Sequence, residues 1–304
     1  MMNALFIENV SKSYGTTPVL KNVTLTIKEG EFYALMGPNG SGKTTLVSII
    51  ASVCSPTEGT VTVYGQNDAK ELISYVPQEN FSSPLLTGKE NLMYFAQLYG
   101  FSRNEAAALA ASILDKIRLS GVAEAKVSTY SGGMRKRLEV GTGLFPGTKL
   151  LLLDEPTTGL DPSARREFLG MISDMNDNGK TILLITHIGE DAELASRVGF
   201  IDEGVIVAED TPDELKKKSG LNNVLTIETL IMTEKVADTL KQFSDNEKVL
   251  KTEKGYRIYC EHPDEVLPYV VRSLDRIGCK KTKIDVEAPS LEDVFFALTK
   301  RVIR

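Results

Sequence analysis

An α/β sheet with helical crossovers, followed by a small α+β domain, is the fold class predicted by three features of the sequence. Short apolar, β-branched runs alternate with helical periodicity through roughly residues 1–220. The strands vanish between about Phe81 and Val140, where helical periodicity takes over, so a helical subdomain over about 81–140 is expected inside the α/β core. From about 221 to 304 the order changes to β-α-β-β-α-β, that of a ferredoxin-like unit.

Taken in order, the strand candidates are Ala4 to Val10, Phe32 to Met36, Ile73 to Val76, Leu150 to Leu153 and Thr181 to Thr186. The last two are almost wholly apolar, the pattern of strands covered on both faces. Lys89 to Tyr99 places Leu92, Phe95, Ala96 and Tyr99 on one helical face, which is either core or a docking surface for a partner. Ala106 to Leu119 reads as a second helix. In the tail, Val224 to Ile231 reads as a strand, and Thr233 opens a helix with Val236, Leu240 and Phe243 on one face. Lys248 to Thr252 and Tyr256 to Cys260 form a hairpin around Glu253-Lys254-Gly255. A helix with Val266, Val270, Leu274 and Ile277 and a strand over Thr282 to Val286 complete the unit. Ser290 and Asp293 then have capping-box spacing ahead of a helix with Leu291, Val294, Phe295 and Leu298 on one side.

Composition bounds the function. Apolar residues make up 42% and charged residues 25%, so a full core is expected rather than disorder. A net charge of −6 argues against a nucleic-acid binder working through a basic surface. Cys54, Cys260 and Cys279 are far apart and show neither metal spacing nor a disulfide framework. No secretory signal and no run of about eighteen apolar residues is visible. A membrane process would therefore need a separate chain to cross the bilayer.

The strongest motif is Gly37-Pro38-Asn39-Gly40-Ser41-Gly42-Lys43-Thr44, a full G-x-x-x-x-G-K-[ST] match between a strand and the helical run from Thr45 to Ala51. Its glycines let backbone N–H groups approach phosphate oxygens, Lys43 is expected to supply charge to the β- and γ-phosphates, and the Thr44 hydroxyl can bind Mg²⁺. Next, the run Leu150 to Leu153 ends in Asp154-Glu155, carboxylates at the strand's carboxyl edge. Asp154 is expected to hold Mg²⁺ and Glu155 to polarise the attacking water. Third, Tyr130-Ser131-Gly132-Gly133-Met134 opens a helical run, an anion site of backbone N–H groups and a hydroxyl.

In this order the three motifs resemble those of ATP-binding cassette (ABC) ATPases, over at least residues 4–215. The resemblance implies a P-loop NTPase with a RecA-like core, an N-terminal antiparallel β subdomain and an inserted helical subdomain. It also implies ATP and Mg²⁺ as ligands, held in a head-to-tail pair with a second ABC ATPase subunit, identical or related. Residues Gly37 through Thr45 would line the nucleotide, and Ser131, Gly132 and Gly133 would reach the γ-phosphate held by the other subunit. Further positions carry over: Gln78 as the glutamine-loop residue touching Mg²⁺ and water, His187 as the switch histidine, Asp161 as the cross-dimer loop, and Tyr14 as the ring stacked on adenine. The catalytic set is thus Lys43, Gln78, Glu155 and His187, and the metal set Thr44, Gln78 and Asp154. Tyr130 and Met134 depart from the commonest signature, Leu-Ser-Gly-Gly-Gln, at both ends. The tail Pro289 to Thr299 looks like the C-terminal extension of drug- and polysaccharide-type exporter ATPases, which work with a separate transmembrane permease. Such a subunit would be cytoplasmic and peripheral on the inner face of the membrane, with no nucleic-acid partner. The competing reading is a non-transport ABC ATPase acting on ribosomes or nucleic acid. The presence of one P-loop, and too short an interval between Thr45 and Tyr130 for a long coiled coil, count against it.

Overall fold

The computed structural model describes residues 2–221, 223–245, 248–252 and 254–299. The chain divides after Pro212 into two compact units, ahead of the pattern change at Leu221. The first unit opens with a hairpin of β1 (Asn3–Tyr14) and β2 (Thr17–Lys28), then β3 (Phe32–Met36), α1 (Lys43–Ile50), β4 (Glu58–Val63) and β5 (Ile73–Val76). Helices α2 (Gly88–Leu98), α3 (Arg103–Lys116) and α4 (Gly132–Val140) follow. The chain returns through β6 (Leu150–Asp154), α5 (Pro162–Asp177), β7 (Thr181–Thr186), α6 (Gly189–Ala192), β8 (Arg197–Asp202) and β9 (Val205–Asp210).

These strands make two sheets: an antiparallel one ordered β2-β1-β4, and a larger one ordered β5-β6-β7-β3-β8-β9. The larger sheet is parallel except where β9 pairs with β8. Every residue of β3, β6 and β7 is buried, as their unbroken apolar runs require. β1 and β2 instead mix buried and exposed positions, and their inner residues Leu5, Ile7 and Ile27 join Leu35, Leu46 and Leu183 in one core. This core fixes the ends of β3, β5, β6 and β7, from which the functional side chains project.

Helices α2 and α3 start with reciprocal capping boxes, Thr87 with Glu90 and Ser102 with Glu105. Of the apolar stripe, Leu92 and Ala96 are buried, Phe95 is half-buried and Tyr99 is exposed, so only part of it is core. No described helix is long and apolar enough to cross a membrane.

The second unit contains α7 (Pro212–Lys218), β10 (Asn223–Thr229), α8 (Glu234–Lys241), β11 (Val249–Lys251), β12 (Gly255–Cys260), α9 (Pro263–Arg276), β13 (Lys281–Glu287) and α10 (Leu291–Thr299). Its antiparallel sheet is ordered β11-β12-β10-β13, and Leu225, Ile227, Ile258, Val270 and Leu274 build a separate core. Thr252 donates its N–H to the Gly255 carbonyl across the β11–β12 turn, while Glu253, expected at that turn, lies outside the described residues, as do 300–304. Ser290 and Asp293 do exchange capping-box hydrogen bonds. Asp293 is itself buried, accepting from Tyr259 Oη at 2.9 Å and pairing with Arg257 at 3.0 Å. Leu298, expected on the buried side of this helix, is 47% exposed, one turn beyond Phe295 and at the helix end.

Candidate nucleotide site

The loop 37–42 leaves the buried end of β3 and turns into α1. Glycine is needed there for two different reasons. At Gly37 a Cβ would lie 2.2 Å from the Ile201 carbonyl oxygen. At Gly42 φ is +105°, a conformation that L side chains rarely adopt. The α1 N-terminus thereby points its free N–H groups at the loop.

Lys43, the first residue of α1, is buried, and its Nζ donates to the carbonyls of Gly37 at 2.8 Å and Pro38 at 2.9 Å. Burial lowers its pKa, and Glu155 and Asp154 pull it back up. Neutral carbonyls hold an ammonium less strongly than anionic oxygens do, so an arriving polyphosphate can displace them.

Asp154 ends β6, buried. Burial raises its pKa, opposed chiefly by the Thr44 hydroxyl, then by Lys43 and Tyr75. Tyr75 Oη lies 3.5 Å from Oδ2, and Oδ1 has no hydrogen-bond partner among the described residues. An orphaned, buried carboxylate oxygen beside a hydroxyl is a hard-oxygen donor set, which fits Mg²⁺. Ser41 Oγ is likewise buried without a partner.

Glu155 adopts φ +47°, an uncommon backbone conformation for a residue with a side chain. Its N–H is fixed to the Ile185 carbonyl at 2.9 Å. Three side chains from different elements meet its carboxylate. Gln78 Nε2 donates to Oε2 at 3.3 Å, His187 Nδ1 lies 3.3 Å from the same oxygen, and Lys43 Nζ is 3.9 Å from Oε1. The nearby His187 is the largest influence, and with Lys43 it holds the Glu155 pKa below its ordinary value despite burial. The carboxylate is therefore an anionic proton acceptor at neutral pH. Lys43, Gln78, Glu155 and His187 thus form one cluster at the carboxyl ends of the parallel strands, where open α/β sheets bind ligands.

The Ser131-Gly132-Gly133 segment lies apart. Ser131 caps α4, its Oγ accepting from the Met134 N–H at 3.2 Å. Gly133 is buried where a Cβ would meet Ala164 Cβ at 2.9 Å. Among the described residues no hydrogen bond joins these three to the Glu155 cluster. Tyr130 donates to the Val122 carbonyl at 2.8 Å, and its Oη occupies space that a Cβ on Gly88 would need. Asp161 caps α5, accepting from the N–H groups of Ser163 and Ala164 at 2.9 and 3.1 Å. Tyr14, at the end of β1, is 54% exposed with Lys12 Nζ 5.1 Å above its ring, while Thr45 is half-buried on α1.

Sequence reasoning missed several supporting residues. Asp191 on α6 is buried and accepts from Thr157, from Thr186 Oγ1 at 3.4 Å and from Arg165 Nε at 2.7 Å. It ties the segment after Glu155 to the strand end that carries His187. Lys136 and Glu139 on α4 are also buried. The available signal was helical spacing, since both fall on the α4 face that also buries Val140.

Comparison with known proteins agrees with this geometry. The ABC transporter family matches residues 20–158. The linearmycin resistance ATP-binding protein LnrL of Bacillus subtilis (strain 168) is 32% identical over 98% of this chain and 98% of its own length. Nod factor export ATP-binding protein I of Burkholderia orbicola (strain AU 1054) is 35% identical over 96% of each chain. Among solved structures, a dimeric post-hydrolysis state of the ATP-binding cassette MJ0796 with ADP and Pi is 30% identical. It has a TM-score of 0.61 and covers 68% of this chain and 98% of that one.

Proposed function

Because this chain belongs to the ABC transporter ATP-binding proteins, we propose that its Glu155 cluster is the hydrolytic centre of a motor that closes on ATP with a second subunit. The chain is an ABC ATPase of the exporter type, similar over nearly its whole length to ATP-binding subunits named for drug resistance and Nod factor export. The observation that carries the site assignment is the convergence of Lys43, Gln78 and His187 on Glu155 beside a phosphate-binding loop.

In this reading the loop N–H groups and the α1 N-terminus bind the phosphates, and Lys43 leaves its two carbonyls for the β- and γ-oxygens. Glu155, anionic and fixed by the backbone bond to Ile185, accepts a hydrogen bond from the attacking water and holds it in line. Gln78 orients the same water, and His187 turns from Glu155 toward the γ-phosphate. Thr44, Asp154 and Gln78 would hold Mg²⁺, which when bound neutralises charge on the phosphate oxygens. Tyr14 offers an exposed ring to the adenine. Ser131, Gly132 and Gly133 complete the opposing subunit's site, which accounts for their separation from the cluster in a single chain. Hydrolysis removes the group shared by both subunits and lets the pair reopen.

The permease is a separate chain, and the subunit sits peripherally on the membrane's inner face. Exposed Tyr94 packs edge-on against Phe95, which in turn packs against Phe81 of the Gln78 loop, so this surface is offered as the coupling contact. The region 221–304 is assigned an accessory role, supported by its having a core of its own.

The test is Glu155→Gln, which keeps shape and removes the base. It should bind Mg·ATP and lose turnover by about 10²–10⁴-fold, the range for a general base. Used as tagged bait in gently solubilised membranes with ATP, it should retain a multi-span membrane protein in stoichiometric amount. Recovery of ribosomes or nucleic acid instead would overturn the transport reading, and normal turnover would overturn the role of Glu155.

A further inference from the structure

We propose that Lys136 and Glu139 are a positioning pair that fastens the loop carrying Gln78 to the helix whose N-terminus meets the other subunit's nucleotide. The loop is gripped at both ends by main-chain contacts. Lys136 Nζ donates to the carbonyls of Pro77 at 3.2 Å and Gln78 at 2.8 Å. Glu139 Oε1 accepts from the N–H groups of Phe81 and Ser82, each at 3.1 Å, and from Ser82 Oγ at 2.7 Å. Arg135 Nε donates to the same Ser82 hydroxyl at 2.9 Å. Lys136 is 6% and Glu139 1% exposed, and Lys136 Nζ lies 3.6 Å from Glu139 Oε2.

Stability alone is a poor reason for such an arrangement. Buried ion pairs seldom stabilise more than apolar side chains of the same volume. What an apolar pair would lack is a grip on backbone groups of another segment. Both charges stand within the turns that follow Ser131-Gly132-Gly133 on α4. A rigid shift of α4, when a γ-phosphate docks at its N-terminus, carries residues 77–82 with it. Gln78, whose carbonyl Lys136 holds, donates its Nε2 to Glu155 Oε2. Occupation of the half-site on α4 is thereby conveyed to the geometry of this subunit's own hydrolytic carboxylate. The contacts are to the main chain, so the device does not require glutamine at position 134.

The inference rests on the hydrolytic reading of the Glu155 cluster, and the test separates the two. In the purified full chain, ATPase kinetics are measured for the wild type, Lys136→Met, Gln78→Ala and the double variant, with ATP affinity by equilibrium binding. Lys136→Met should lower kcat by about 10–100-fold, the scale of a 1 Å misplacement, with ATP affinity changed less than about 3-fold. The double variant should be no slower than Gln78→Ala, because the pair acts through that residue. Lys136→Arg, which keeps the charge and donors, should recover most of the rate. Multiplying losses in the double variant, or unchanged kcat in Lys136→Met, overturns the proposal. If Lys136→Met does not fold, the same cycle with Glu139→Gln and Gln78→Ala decides on the same criteria. Absence of turnover in the wild type would instead refute the hydrolytic reading.

Discussion

Asp191→Ala removes a buried carboxylate that holds three partners on three elements: Thr157 after β6, Arg165 on α5 and Thr186 at the end of β7. Two losses add. Breaking a buried, hydrogen-bonded charge pair from one side costs about 3–5 kcal/mol. The lower figure applies here, because the Arg165 side chain is 21% exposed and lies 3.3 Å from solvent-facing Glu190, which can take over part of its charge. The Thr157 hydroxyl, buried at 3% exposure, then loses its acceptor at a further cost of about 1 kcal/mol. Some 4 kcal/mol in a unit of this size corresponds to about 8–16 °C in Tm. Asp191→Asn loses the charge but keeps an acceptor for Arg165 and a donor for the Thr157 oxygen, so its loss should be smaller. Differential scanning calorimetry of the full chain, with urea unfolding for the same variants, measures both. A Tm change under about 3 °C for Asp191→Ala would refute the reasoning, as would equal losses for the two variants, since the hydrogen bonds that asparagine retains would then contribute nothing.

Two further outcomes follow from the same structure. Gly37→Ala must displace the Ile201 carbonyl, 2.2 Å from the new Cβ, and should cost about 1–3 kcal/mol of stability and most nucleotide affinity; binding of a fluorescent ATP analogue at wild-type strength would contradict the close packing. Lys180, held against Thr148, has its pKa lowered by burial to about 8. Between about pH 8 and the unfolded value near 10.4 the unfolded chain binds the extra proton, so stability from this group rises with pH across that window. Allowing for its partial exposure the rise is about 1–2 kcal/mol. Competitive amine labelling should return an apparent pKa near 8 for Lys180, and Lys180→Met should lack the alkaline rise.

Strands covered on both faces were the easiest to read, because burial on both sides writes a continuous apolar run. Phe32–Met36, Ile73–Val76 and Thr181–Thr186 match the sequence reading end to end. β2, β4, β8 and β9 were not anticipated. In β2 and β4 exposed polar residues interrupt the pattern, as in Thr17–Lys28 with its mixture of buried and open positions. β1 ran past the expected Val10 to Tyr14, carried by irregular register near Asn9, a residue at φ +51°. At the site, residues set by backbone geometry and charge type were legible: the glycines of the loop, Lys43 and the two carboxylates after Leu153. Asp191, Lys136 and Glu139 were not, since a charged residue inside a helix is ordinarily solvated. For Lys136 and Glu139 their helical spacing with Val140 was the one hint, and tertiary packing showed that these helices turn their charges inward.

The contact between Tyr130 and Gly88 bears on how such chains diverge. With the phenol oxygen 2.2 Å from where a Cβ at position 88 would stand, the two positions are not independent in evolution. With tyrosine kept ahead of Ser131, any side chain at the start of α2 requires the ring to move. Exchanging the ring first for something shorter removes that clash. The order of the two changes therefore matters: with the ring in place, a side chain at position 88 must displace Tyr130 from its hydrogen bond to the Val122 carbonyl.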